Sequence, residues 1–100
     1  MRAEFMLFTI EMTRKQAEYT AHRGECLPQV QELLQDSKIK RQLKKISDDD
    51  LKEELDQYGA WSDEELSDRA DNEERIIWLA AGHILDQIED PDYHFSAGGK

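Results

Sequence analysis

Only one cysteine, Cys26, stands among the 100 residues. That excludes an internal disulfide framework and a zinc site built from several cysteines, so nothing asks for an oxidising compartment, and a cytoplasmic setting is the expectation. Long apolar runs are missing too. No stretch approaches the ~20 apolar residues that a membrane span needs. The run at 5–8 is too short for a signal-peptide core and is closed by Glu11 and Arg14. No glycine loop, and no histidine or lysine set in a recognisable arrangement, accompanies the many carboxylates, so no catalytic residue and no cofactor is assigned. His22 with Cys26 and His83 with Asp86 have ligand-like spacings, but two ligands do not make a zinc site and no metal is expected. Positive charge is scarce after residue 45: residues 46–100 hold four Lys/Arg against 17 Asp/Glu, a net of −13, whereas residues 1–45 hold nine against six, a net of +3. Direct DNA binding by the second half is therefore not expected.

What is present suits one small domain. Apolar residues make up 38% and charged residues 36%, lean for a core yet too aliphatic and aromatic for a wholly disordered chain. A chain of this length buries about 60 to 68% of its unfolded surface, enough for a single modest core.

Two helix starts share one plan, Ile46-Ser47-Asp48-Asp49-Asp50-Leu51 and Trp61-Ser62-Asp63-Glu64-Glu65-Leu66. Each sets a serine N-cap before three acids that satisfy orphan N–H groups and oppose the positive helix end, with apolar residues placed for a staple. The first helix is predicted over 48–58, ending at Gly59 in a left-handed conformation. The second is predicted from Asp63 to Glu89, with a break near Asp71-Asn72 as the alternative and Pro91 as its limit. Upstream, Thr13-Arg14-Lys15-Gln16 has capping-box form and Gly24 can end a helix, which predicts helix over 14–23. Pro28 suits a first helical position before Val30, Leu33 and Leu34. Ile39, Leu43 and Ile46 give an apolar stripe amid Lys38, Lys40, Arg41, Lys44 and Lys45, with Ser37 as the expected cap. Residues 5–10 fit a strand by composition and a helix by the spacing of Phe5, Phe8 and Met12; an extended or helical arm is expected. The fold class predicted is a compact all-α bundle of four to five helices over residues 1–92, with a frayed tail at 93–100 and the Trp78 helix at the centre.

The acids carry the functional reading. Residues 48–74 hold 13 Asp/Glu against Lys52 and Arg69. Along roughly 40 Å of helix the net of −11 is about one charge per 3.7 Å, close to the ~3.4 Å spacing of a single DNA strand. Asp49, Glu53, Asp56, Glu64, Asp68 and Asp71 are mostly three or four residues apart and are expected to line an exposed acidic face without serving as caps. The bland alternative is a solvated face whose acids cap helices. Tyr58 and Trp61, either side of Gly59-Ala60, are candidate interface anchors, or else the corner of the core. The run Ile76-Ile77-Trp78-Leu79-Ala80-Ala81-Gly82 is apolar around the helix and implies burial on more than one side, with a homodimer as one way to supply it. The basic stripe is expected to pair with the protein's own acids.

At Tyr58-Gly59-Ala60-Trp61, Glu64-Glu65-Leu66, Asp68, Asn72, Arg75-Ile76, Trp78-Leu79-Ala80-Ala81-Gly82 and Ile84, the chain resembles small uncharacterised acidic proteins carried by bacterial phages and plasmids. The resemblance covers 58–88 at the level of pattern. It implies a mobile-element accessory protein of the kind that binds and inhibits host defence machinery, and it transfers no binding residue. The expected function is thus a noncatalytic inhibitor with a nucleic-acid-mimicking acidic face and a basic protein partner, such as a nucleic-acid-binding complex. The rival is a homodimeric structural or regulatory module whose acids serve only solubility.

Overall fold

The structure, a computed structural model, describes residues 1–21, 27–59 and 61–89. The readings made above for His22, Gly24, Cys26, Ala60, Pro91 and the tail at 93–100 lie outside the described residues. Strands β1 (Arg2–Glu4) and β2 (Thr9–Glu11) precede helices α1 (Arg14–Ala21), α2 (Leu27–Leu34), α3 (Ser37–Lys44), α4 (Asp48–Asp56) and α5 (Arg69–Glu89), with a single 3-10 turn at Glu65–Ser67 before α5. The domain is mostly helical, as the sequence predicts, but it is not all-α.

The N-terminal arm is an antiparallel hairpin pairing Arg2 with Glu11, Ala3 with Ile10 and Glu4 with Thr9. Ala3, Phe5, Ile10 and Met12 are buried while Arg2, Glu4, Thr9 and Glu11 face solvent. This is the period-two alternation of a half-buried strand, and it overrides the helical spacing of Phe5, Phe8 and Met12. Phe5 N–H donates to Phe8 O at 2.8 Å across the turn. Side-chain amides serve both edges. Gln42 of α3 accepts from Glu11 N–H at 2.6 Å and donates to Glu11 O at 2.8 Å, and Gln87 of α5 donates to Arg2 O at 3.3 Å. Edges covered this way do not template pairing with other chains.

The helix starts follow local chemistry. Thr13 Oγ1 accepts from Gln16 N–H at 3.0 Å while Gln16 Oε1 accepts from Thr13 N–H at 2.8 Å, a reciprocal capping box. Ser47 caps α4 by accepting from Asp50 N–H at 3.1 Å, and Gly59 takes a φ of +66° beyond its end. Asp36, not Ser37, caps α3, accepting from Lys38 and Ile39 N–H; its carboxylate is the stronger acceptor of two adjacent candidates. Ser62 and Glu65 form the expected box, Glu65 N–H to Ser62 Oγ at 3.3 Å and Ser62 N–H to Glu65 Oε2 at 3.2 Å. That box opens only the 3-10 turn. The chain then extends at Asp68 (φ −98°, ψ 117°), and α5 begins at Arg69, later than predicted from the box and earlier than the alternative break at Asp71-Asn72.

Helix α5, 21 residues and about 31 Å long, lies against α1, α2, α4 and β1. Ile76, Ile77, Ala80, Ala81 and Ile84 are fully buried on one arc, where they meet Ala17, Val30, Leu33, Leu51, Leu55 and Leu66. The small Ala80 and Ala81 let neighbouring elements approach. Burial does not extend around the helix, because Trp78 is 47% exposed.

Arg69 joins three helices. Its Nη2 donates to Leu43 O at 2.7 Å and its Nη1 to Ile46 O at 2.9 Å, satisfying carbonyls at the end of α3. Nη1 also reaches Asp48 Oδ1 and Nε reaches Glu73 Oε2, each at 2.8 Å. Removing the guanidinium strands the Leu43 and Ile46 carbonyls and the partly buried Glu73 carboxylate, at about 1 to 3 kcal/mol for each group left without a partner, whereas the exposed Asp48 carboxylate returns to water. Arg69→Met should lower the unfolding free energy by about 3 kcal/mol in urea titrations. A loss below about 0.5 kcal/mol, the range of ordinary surface substitutions, would show that the junction is held by apolar contact alone.

Candidate functional site: an acidic face and an aromatic face

Asp49, Glu53 and Asp56 project from one side of α4, at steps of four and three residues, and all three are exposed. Glu64, Asp68 and Asp71 are exposed as well, but they do not line one helix. Glu64 precedes the 3-10 turn, Asp68 sits in the extended link, and Asp71 lies in the first turn of α5. Asp68 is moreover the cap of α5: its Oδ1 accepts from Ala70 N–H at 2.9 Å, contrary to the expectation that none of the six acids caps. An isolated serine capping box cannot compel a full helix against an aspartate cap six residues later.

The fold also changes the charge arithmetic. Acids 48–74 are divided between α4, a turn and α5 rather than strung along one rod, so the linear comparison with a nucleic-acid strand does not hold and a surface patch replaces it. Of the 13 acids, Glu54 is buried, and Asp48 and Glu73 are paired with Arg69. The remaining ten are exposed or half-exposed, and none forms an ion pair among the described residues. Ser62, through its N–H and then its hydroxyl, holds the Glu65 carboxyl below the ordinary carboxylate range. The basic stripe does not neutralise them. Lys38, Lys40, Arg41, Lys44 and Lys45 are exposed without ion pairs among the described residues, although Lys40 and Lys44 share a recess with Glu73 and Glu74. Side chains this long and this solvated gain too little from surface pairing to be fixed by it.

Tyr58 and Trp61 are half-buried and packed on the core, which favours the corner reading over that of free anchors. The Arg75 guanidinium lies 5.4 Å from the centre of the Trp61 ring, and its Nη1 donates to Glu65 O at 2.8 Å and Asn72 Oδ1 at 3.1 Å. Asn72, itself buried, donates to Leu66 O at 2.8 Å. Arg75 and Asn72 thus supply donors to the carbonyls that the short 3-10 turn leaves open. Neither role shows in the sequence beyond the three-residue step between them.

A second face gathers aromatic rings. Phe5 lies 5.3 Å from Phe8 and 6.4 Å from His83, edge-on to the latter, and Tyr58 lies 6.2 Å from His83. Burial lowers the His83 pKa, against the pull of Asp86. Beside this cluster Trp78, Leu79, Gly82, His83 and Asp86 line a groove along α5.

Beneath the hairpin turn lies Glu54, fully buried on the apolar stripe of α4. Its Oε1 accepts from Leu7 N–H at 2.8 Å, and its Oε2 has no bonded partner. Burial raises its pKa above the ordinary value of 4.5, more than the Leu7 and Met6 amides lower it, with Glu53 and Asp50 adding to the rise. No cluster of metal-binding side chains occurs among the described residues. Comparison with protein-family models, curated proteins and solved structures gives no match for this chain.

A buried carboxyl with a raised pKa favours folding most when it is protonated. Its contribution is complete below pH 4.5 and is lost as the pH rises through the folded-state value. Glu54→Gln keeps the acceptor for Leu7 and removes the titration. The stability of Glu54→Gln relative to wild type should therefore rise with pH from 4.5 and then level off, read from urea titrations at a series of pH values. A difference that does not vary with pH would show that Glu54 ionises in the fold as freely as in the unfolded chain.

Proposed function

We propose that the protein is a noncatalytic binding protein that acts as an inhibitor of host defence or nucleic-acid machinery in bacteria, presenting the acidic face of α4 and the start of α5 to a basic surface. A cytoplasmic setting, expected from the lone Cys26, and a phage or plasmid origin, which rests on the resemblance over 58–88, belong to the same proposal. The observation that carries the reading is the set of ten acids in 48–74 left exposed or half-exposed after Arg69 has taken its two partners. Capping accounts for only some of them. Glu53 and Asp56 lie beyond the first turn of α4, where the helix dipole gives acids no advantage and Asp56, near the C-terminal end, is opposed by it. Acids placed against local preference and left without cations create a field that draws a basic partner and raises its association rate. Among the described residues no helix is long and apolar enough to cross a membrane.

Asp49, Asp56, Asp68 and Asp71 changed to Asn, with Glu53 and Glu64 changed to Gln, should leave the fold intact, since the amide oxygen of an asparagine in place of Asp68 can still cap α5 and exposed charge removal costs within about 0.5 kcal/mol per site. A basic partner captured from bacterial lysate at low salt and then purified should bind this sextuple variant about a hundredfold or more weakly, mainly through slower association, and should bind wild type ever more weakly as salt rises. Equal affinity of the folded variant and wild type would remove the acidic face from the function.

A further inference from the structure

Helix α5 turns Ile76, Ile77, Ala80, Ala81 and Ile84 inward, so the opposite stripe, at steps of three and four residues, carries Arg75, Trp78, Gly82, Asp86 and Glu89. Gly82 at its middle has no need to be glycine within one molecule. Its φ is not positive, and a Cβ there would meet nothing within 4 Å among the described residues. In a helix interior it costs about 1 kcal/mol relative to alanine. What glycine does offer is a shallow floor between Trp78, 47% exposed, and Asp86, in the groove that Leu79 and His83 also line. Such a floor admits a second helix at short range, since the separation of packed helices is set by the side chains at their crossing.

The sequence of this stripe identifies the occupant, because it is complementary to itself when reversed about Gly82. In an antiparallel pair with a twofold axis at Gly82, each residue lies opposite the one equally far on the other side. Arg75 then faces Glu89 of the second copy, and Trp78 lies beside Asp86. Within the stripe, cation meets anion at both ends of the crossing and no like charges are opposed. Both uses of the Arg75 Nη1, on Glu65 O and Asn72 Oδ1, leave donors among the five of a guanidinium. A centre between Trp78 and Leu79 would instead oppose Asp71 to Asp86. We infer that a second copy of this chain occupies the Trp78–Gly82–Asp86 groove, forming an isologous dimer through antiparallel α5 helices.

Because each copy carries a net charge of −10, long-range repulsion opposes this dimer and salt screens that repulsion. The dimer should therefore hold or tighten with ionic strength, where acidic-face binding weakens, so the two readings stand or fall separately. Sedimentation velocity of the full chain over a concentration series should show monomer and dimer in exchange. Gly82→Leu should give a monomer with an unchanged or raised melting temperature, since its Cβ meets nothing within 4 Å among the described residues and leucine improves helix propensity. Glu89→Arg should weaken dimerisation by about tenfold or more, each contact occurring twice across the axis. Wild type that stays monomeric at every concentration, or a dimer that survives Gly82→Leu unchanged, would overturn the inference.

Discussion

The guanidinium of Arg69 is the point on which the arrangement of α3, α4 and α5 turns. An arginine as the first residue of a helix sits at the wrong end of its own dipole, and its position makes sense only in relation to α3. There it is a cation at a C-terminus, bonded to Leu43 O and Ile46 O, where the last carbonyls have no partner within the helix. Asp48 from the first turn of α4 and Glu73 from α5 complete its surroundings. One side chain thus sets the angles at which three helices meet, and through α4 and α5 it sets where the acids at 49–56 and 64–71 stand relative to each other. Lys40 and Lys44 lie nearby yet do not substitute for it, since a single ammonium cannot present donors in four directions at once.

Much of this was legible in the chain. Capping chemistry is local, so the Thr13–Gln16 box, the Ser47 cap and the turn at Gly59 follow from residues a few positions apart. The buried arc of α5 is legible for the same reason, as isoleucines and alanines recur at helical steps. Tertiary competition was not legible. The Ser62–Glu65 box forms as expected and still yields only a 3-10 turn, because Asp68 caps a new helix and Arg75 and Asn72 accommodate the carbonyls of the old one. Asp68, a free surface acid by its spacing, is therefore a cap in the fold. Glu54 belongs to the acidic run of the sequence, yet it lies three residues after Leu51 and next to Leu55, on the stripe that faces the core. The hairpin escaped because period two and period 3.6 share Phe5 and Met12, and Ala3, the residue that decides between them, is small.

Glu54 also shows how the hairpin is attached. Strands of three residues with one buried pair, Ala3 and Ile10, hold a register poorly by themselves. Attachment comes from other elements: Gln42 from α3, Gln87 from α5 and Glu54 from α4 each bond to hairpin backbone. The first two are neutral amides that match an amide's own donors and acceptors. The third is a buried carboxyl with one oxygen left over, and its desolvation makes it the costly member of the three. Leu7 and Met6, exposed above it, do not offset that cost by burying apolar surface of their own.

Charge, finally, constrains what the two candidate faces can do together. The exposed acids of α4 and early α5 repel any second copy, yet Arg75 and Glu89 stand equally far from Gly82 on the stripe, so reversal about that residue brings cation to anion. The bulk of the negative charge lies before residue 75, and the groove at Trp78–Gly82–Asp86 lies after it along α5, so a partner on the acidic face and a second copy in the groove need not compete for the same surface. A dimer would then carry two acidic faces, and a partner with two basic surfaces would be held with an avidity set by the spacing of those faces rather than by any new contact.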